Sequence, residues 1–452
     1  MRTIKVEVDV QPRSVRFALP GTKIFKNGGF DLQYSFDIAP SERGLSSMAI
    51  GLLAPIIARN IRGNVEIALP TPLDQADLLA WRDYHQLPER IHVSGLPSAV
   101  TSPTRPIEHE SPLALLYGGG KDSVAALTIA RELYPSSPLH LLRLHWNAKS
   151  PTRHKEAFEG YVLPELRKHT SFAYISVQSS MHAELVERTD AASIHLARYL
   201  CSFLPYVEMQ NPRFLCHGYD ALEYHGTAYR RAHPQVLRYI DSVYHRLGAA
   251  TVIRSLCFAT PPKVSFSLIS SLRPELVPAI YMCESLEQRW CYNCRKCFTY
   301  GLLCLAHRLT PRSFDFQRMF SPTTPYMSRI SQQLARLDGQ SDIEGLSGLL
   351  AYPAHFQAVS GWGPEVVKGA ATLNLPDSAI AVIQTLFVLI DGFARPEMNS
   401  FWSKAALYEG GPAFSKALEA LATNASISSC TDSPISGHVK GAPVSYLMGD
   451  IE

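Results

Sequence analysis

The chain has 452 residues, of which 46% are hydrophobic and 18% charged, with a formal charge of only +3. That length can bury a large core and suits two or three domains, while the small charge excludes a strong global field for nucleic acid. The alternating start Met1–Val8 lacks the apolar run of a secretory signal, and the most apolar later segment, 379–390, is too short to cross a bilayer, so a cytoplasmic protein without membrane contact is expected.

In chain order, residues 1–108 are expected to form a separate α+β domain. Strands at 4–10, 15–19 and 30–38 precede an apolar helix at 46–61, followed by a strand at 64–69 and a helix at 73–84. Segment 97–111 carries three prolines and little hydrophobic periodicity, which makes it a linker.

From Leu113 the pattern changes to apolar strands alternating with longer helical stretches, the pattern of an α/β parallel sheet covered on both faces. Strands are expected at 113–117, 139–146, 171–177, 213–217 and near 251–257. Helices are expected at 123–133, 153–168, 181–206 and 234–248, and the domain is taken as 109–320.

Between its first strand and first helix lies Tyr117-Gly118-Gly119-Gly120-Lys121-Asp122-Ser123. Glycines leave backbone N–H groups unobstructed, and a helix opening beside them aims free N–H groups and its positive dipole end at an anion. The bland alternative is an ordinary tight turn. Neither the Walker spacing nor the dinucleotide fingerprint fits. In an open parallel sheet the loop would sit at a topological switch point beyond the strand ends.

Four of the nine cysteines fall in Cys283-x7-Cys291-x2-Cys294-x2-Cys297. Overlapping C-x-x-C turns with a preceding cysteine can close a tetrahedral shell around structural zinc, with an iron–sulfur cluster as the competitor. Cys304 and His307 are alternative ligands in place of Cys283, their plainer reading being a buried thiol and a surface histidine. Cys201, Cys216 and Cys257 lie in apolar segments as core residues. Residues 321–452 form a helical region, with helices at 326–337, 342–351, 376–393 and 412–423 and a Ser/Gly/Pro-rich tail after Asn424.

Gly118–Ser123 resembles the S-G-G-x-D-S loop of the PP-loop ATP pyrophosphatases, with Gly118 in place of the serine. A PP-loop followed about 160 residues later by C-x7-C-x2-C-x2-C is similar to the 7-cyano-7-deazaguanine synthases, over roughly residues 111–305. Between the two motifs, Cys216-His217-Gly218-Tyr219-Asp220-Ala221-Leu222-Glu223-Tyr224 resembles that family's G-x-N-A-x-D segment, with Asp220 replacing the asparagine; an ordinary turn is the alternative. The resemblance implies a HUP-like PP-loop domain with a zinc-binding segment. It also implies an enzyme that binds ATP and Mg²⁺, activates a carboxylate as its adenylate and releases AMP and pyrophosphate as an amide or nitrile forms.

On that basis Lys121, Asp122 and Ser123 are the catalytic candidates, and Tyr117, Gly118, Gly119, Gly120, His145 and Gly218 join them around ATP. Asp220, Glu223, Arg230 and Arg231 are candidates for the carboxylate-bearing small molecule, and Cys283, Cys291, Cys294 and Cys297 for Zn²⁺. The regions outside the resemblance suit a protein or peptide substrate, as in larger relatives from anti-phage gene clusters that join a deazaguanine to a protein. Related enzymes are often homodimers. Two other functions are consistent with these residues: sulfur transfer to tRNA or a small molecule, and a non-catalytic nucleotide sensor.

Overall fold

The computed structural model describes residues 1–96, 103–108, 110–146, 155–187, 195–219, 234–257, 262–283, 288–337, 359 and 361–392. The expected helices at 342–351 and 412–423, and the tail, lie outside the described residues.

The N-terminal region contributes β1 (Arg2–Lys5), β2 (Glu7–Gln11), β3 (Ser14–Ala18), β4 (Gly29–Tyr34), α1 (Glu42–Asn60), β5 (Val65–Ala68), β6 (Leu73–Asp74), α2 (Gln75–His85), β7 (Ile91–Val93) and β8 (Gly95–Leu96). Then come β9 (Leu113–Leu116), α3 (Lys121–Leu133), β10 (Leu139–His145), β11 (Ala173–Ser179), α4 (His195–Ser202), α5 (Leu204–Gln210), β12 (Phe214–His217), α6 (Pro234–Arg246), β13 (Val252–Ser255) and α7 (Pro262–Leu272). The chain continues through α8 (Arg295–Ala306), α9 (Pro325–Leu337), α10 (Gly363–Thr372) and α11 (Asp377–Gly392).

The main sheet has eight strands in the order β13-β12-β9-β10-β11-β4-β3-β2. Its first five are mutually parallel, as the alternation of apolar runs and helices requires. Strand β9 lies between β10 and β12, with Leu115 opposite both Leu141 and Cys216. The chain winds from β9 toward β11 on one side and toward β12 and β13 on the other. A switch point therefore lies at the carboxyl end of β9, where the glycine loop begins.

Both faces of the sheet are covered at its parallel centre, so β9 and β10 read as nearly continuous apolar runs. Leu113 and Leu115 pack with α3, α7 and α8 on one face, while Ala114 and Leu116 pack with α1, α4 and α6 on the other. On the first face the C-terminal helices buttress α8: a Cβ at Gly369 would stand 2.4 Å from the Leu305 carbonyl oxygen, so only glycine allows α10 this approach.

The N-terminal strands differ from expectation. Residues 1–108 do not keep their strands apart from the main sheet, because β4 pairs antiparallel with β11, setting Tyr34 opposite Val177, and β3 and β2 extend that edge. An open β11 would present an unpaired row of N–H and C=O groups, and β4 covers it. The expected strand 4–10 is likewise two strands. β1 joins β5 and β7 in a separate parallel sheet, the Val6 N–H donates to the Ala68 carbonyl, and the chain then crosses into β2.

The expected helix 153–168 contains a π-helical turn at Phe158–Val162 before a helical turn at Leu163–Arg167. Pro164 has no N–H for Gly160, and its ring would press on that carbonyl in a regular helix, so the turn widens. Phe158 is thereby placed beneath the glycine loop.

Glu208, at the end of α5, caps the start of α1: its carboxylate accepts from the Ser41 hydroxyl at 2.5 Å and from the Ser41 N–H at 3.4 Å. Burial pushes its carboxyl up to about 7, against the hydrogen bonds from Ser41 and the charge of Arg105. The raised value means that the native state holds the proton longer than the unfolded chain. Stability from this group is complete below the ordinary value of 4.5 and is lost as pH rises toward 7. Glu208→Gln is expected to raise the thermal midpoint at pH 8 and to give no advantage at pH 4.5; equal shifts at both would contradict this.

Candidate functional site

The glycine loop leaves β9 at Tyr117 and enters α3 through Gly120, which caps the helix without any side-chain hydrogen bond. The first-turn N–H groups of a helix have no intrahelical partners, and Gly120 has no side chain with which to cap them. Gly119 has φ +80°, a left-handed conformation that glycine adopts freely, and a Cβ there would press on the Phe158 ring at 3.0 Å. The Gly118 N–H donates to Ser123 Oγ at 2.9 Å, which closes the loop onto the first helical turn. Ser123 is therefore a brace of the loop before it is anything else.

This brace leaves little room for a side chain at position 118. A Cβ at Gly118 would lie 3.1 Å from Ser123 Oγ and 3.5 Å from Arg143 Nη1. The Arg143 guanidinium donates to the Tyr117 carbonyl at 3.2 Å and lies 4.5 Å from the Phe158 ring centroid. A side chain at 118 would crowd the Ser123 brace, while it would only touch Arg143.

A pocket of ≈ 140 Å³ opens at the start of α3, lined by Leu116, Gly118, Gly120, Asp122, Ser123, Leu196, Tyr199, His217, Gly218 and Tyr219. Its main walls are the β9–α3 loop and the end of β12 with the residues after it, and α4 closes one side. Gly218 allows them to meet, since a Cβ there would stand 2.6 Å from the Asp122 carbonyl oxygen. Backbone cannot yield as a flexible side chain can. Gly218→Ala is expected to destabilise the protein by roughly 1–3 kcal/mol and to widen the pocket mouth; an unchanged denaturation midpoint would show that the two segments separate freely.

The pocket thus brings together Gly118, Gly120, Asp122, Ser123 and Gly218 of the expected nucleotide-binding residues. Others lie elsewhere. The Tyr117 ring is fully buried against Phe158, with its hydroxyl pushed upward by desolvation, so it offers the loop only its backbone. His145 is buried and its Nε2 meets the Tyr174 hydroxyl at 2.9 Å, away from the pocket lining. The side chain of Lys121 is also buried and turned to the Asp122 carboxylate rather than into the pocket. Asp220, Glu223, Arg230 and Arg231 lie outside the described residues.

Sequence reasoning missed the apolar wall of Leu116, Leu196 and Tyr199, and gave no role to His217. The signal for His217 was its place at the end of a strand neighbouring the loop-bearing one. Burial pushes its imidazole down to about 3, so it is neutral.

The second centre is the cysteine cluster. The Sγ atoms of Cys283, Cys291, Cys294 and Cys297 all lie within 4.8 Å of one another, with Cys291–Cys297 at 3.8 Å and Cys294–Cys297 at 3.4 Å. Four thiolates around one zinc, with Zn–S near ~2.3 Å, would have sulfurs about 3.8 Å apart. The donor set therefore fits a single tetrahedral cation. Backbone N–H groups of Cys291, Asn293 and Cys297 point at Cys283, Cys291 and Cys294 sulfurs, and Cys294 caps α8, so the peptide dipoles already favour negative sulfur. Left-handed Tyr292, φ +56°, makes the turn between the ligands.

Cys304 and His307 take no part. Cys304 is buried in α8, and His307 Nδ1 meets Ser270 Oγ at 3.0 Å, its imidazole pushed down by burial to about 4. Cys201, Cys216 and Cys257 are core thiols. The two centres are joined through the backbone: the Tyr281 N–H, two residues before Cys283, donates to the Gly119 carbonyl at 2.7 Å.

Among the described residues no helix is long and apolar enough to cross a membrane. Comparisons of the chain with protein-family models, curated proteins and solved structures find no match.

Proposed function

We propose that this protein is an ATP-dependent, adenylate-forming ligase of the PP-loop kind, with a structural zinc ion held by Cys283, Cys291, Cys294 and Cys297. The observation that carries this reading is the position of the glycine loop: at a switch point of a parallel sheet, uncapped at the start of a 13-residue helix, and facing the end of β12. Helix N-terminal N–H groups gather anionic oxygens. A pocket of ≈ 140 Å³ suits a phosphate group rather than a whole nucleotide, for which sites of about 300–1,000 Å³ are usual.

In this reading a carboxylate oxygen attacks the α-phosphorus of ATP, the bond to the β-phosphate breaks, and pyrophosphate leaves. A nitrogen nucleophile then attacks the acyl carbon, loses a proton, and displaces AMP. Carboxylate oxygen is a poor leaving group and AMP a good one, so the protein's task is to hold charge as it moves onto pyrophosphate. The loop N–H groups supply part of this, braced by Ser123. Asp122, the acidic side chain lining the pocket, would hold Mg²⁺, which offsets phosphate charge when bound.

The close packing of four sulfurs favours one zinc over an iron–sulfur cluster, whose irons and sulfides require more widely spaced cysteines, and so favours ligation over sulfur transfer. With ATP, Mg²⁺ and a panel of carboxylic acids the protein is expected to release AMP and pyrophosphate. Steady release of ADP and phosphate would contradict the reading, and bound iron would favour sulfur transfer.

A further inference from the structure

His217 ends β12, and the register that sets Cys216 opposite Leu115 brings it alongside Leu116, so that both line the pocket. Its side chain is 1% exposed. Nδ1 accepts from the Tyr219 N–H at 3.4 Å, which leaves the proton of the neutral ring on Nε2. Nε2 is enclosed and has no hydrogen-bond partner among the described residues. His145, likewise buried, meets the Tyr174 hydroxyl, and the half-buried His140 and His307 meet those of Tyr206 and Ser270. Buried donors are almost always matched, and an unmatched one beside a pocket points to a partner that arrives with a ligand.

The neighbours narrow the ligand's chemistry. A donor requires an acceptor oxygen, and the N–H groups at the start of α3 gather oxygens at the same pocket. Leu116 and Leu196 exclude water from one wall, which strengthens a hydrogen bond made there. A neutral ring adds this bond without a positive charge.

We infer that His217 Nε2–H donates to a phosphoryl oxygen of the group held by the glycine loop, making His217 a ligand-binding residue. The inference rests on the reading of this pocket as a phosphate site. Calorimetric titration with inorganic pyrophosphate tests the two separately. The native protein is expected to bind, His217→Phe to bind roughly tenfold more weakly, and His217→Gln, which keeps an N–H donor, to recover most of the loss.

If the native protein binds and His217→Phe binds equally well, the role of His217 is overturned while the phosphate site stands. If the native protein does not bind at millimolar pyrophosphate, the phosphate site itself falls, and this role with it. Should His217→Phe fail to fold, ¹⁵N-histidine spectra of the native protein decide: the His217 Nε2 resonance is expected to move on adding pyrophosphate. A His217 Nε2 resonance that stays in place at saturating pyrophosphate would overturn the inference.

Discussion

If Cys283, Cys291, Cys294 and Cys297 hold the proposed zinc, stripping it is expected to unfold the α8 segment and to weaken pyrophosphate binding at a pocket that contains none of these cysteines. Apparent binding energies of structural zinc reach about 10–16 kcal/mol in small zinc domains, as large as the ~5–15 kcal/mol that stabilises a typical domain. Four buried or half-buried thiols that lose their cation must take up protons or separate. Either change moves Cys283, and the chain from Cys283 leads back through Met282 to Tyr281, whose N–H holds the Gly119 carbonyl. Cys291→Ala should reproduce the effect of a strong chelator. The measurement is zinc content by mass spectrometry alongside pyrophosphate affinity and hydrogen exchange at 118–123. Loss of metal with unchanged loop exchange would show that the two centres are independent.

Asp77→Ala is expected to cost about 3–5 kcal/mol of stability, the usual penalty for breaking a buried ion pair. The Asp77 carboxylate is fully buried between two guanidiniums, with Arg43 Nε and Arg246 Nε each at 2.6 Å. Arg246 also donates to the Ala76 carbonyl, and Arg43 to the Arg246 carbonyl. These contacts fasten α1, α2 and α6 together on the face of the sheet opposite the cysteine cluster. Without the carboxylate, two half-buried positive charges face each other. Chemical denaturation should show a lower midpoint, while Asp77→Asn, which keeps one acceptor, should lie between native and alanine. A loss below about 1 kcal/mol would place this triad with ordinary surface pairs.

The parts of the fold that were legible in the sequence were those set by local chemistry. Apolar runs at 113–117, 139–146 and 213–217 correspond within a residue or two to β9, β10 and β12, and the glycine loop stands at the strand-to-helix junction. The cysteine spacing anticipated the sulfur cluster. What could not be read depends on partners distant in sequence. Nothing in Ile4–Val10 indicates that the chain leaves one sheet at Val6 and enters another, because the deciding partners are Ala68 and β3.

The site shows the same limit. Leu113–Tyr117 is apolar throughout, so it carries no alternation to show that Tyr117 turns into the core while Leu116 faces the pocket. Lys121 sits in the loop motif, yet its side chain folds back beside Asp122 instead of entering the pocket. His217 looked like a strand-end residue until the register set it beside Leu116 with an unmatched donor.

The central claim is that the phosphates of ATP lie in the pocket between the glycine loop and the end of β12. A crystal structure with α,β-methylene-ATP, which cannot be cleaved at the bond in question, tests it most directly. The expected result is phosphate density against the N–H groups at the start of α3, with the bridging methylene beside Ser123 and Gly218. Phosphates bound elsewhere, with this pocket holding only solvent, would contradict the claim.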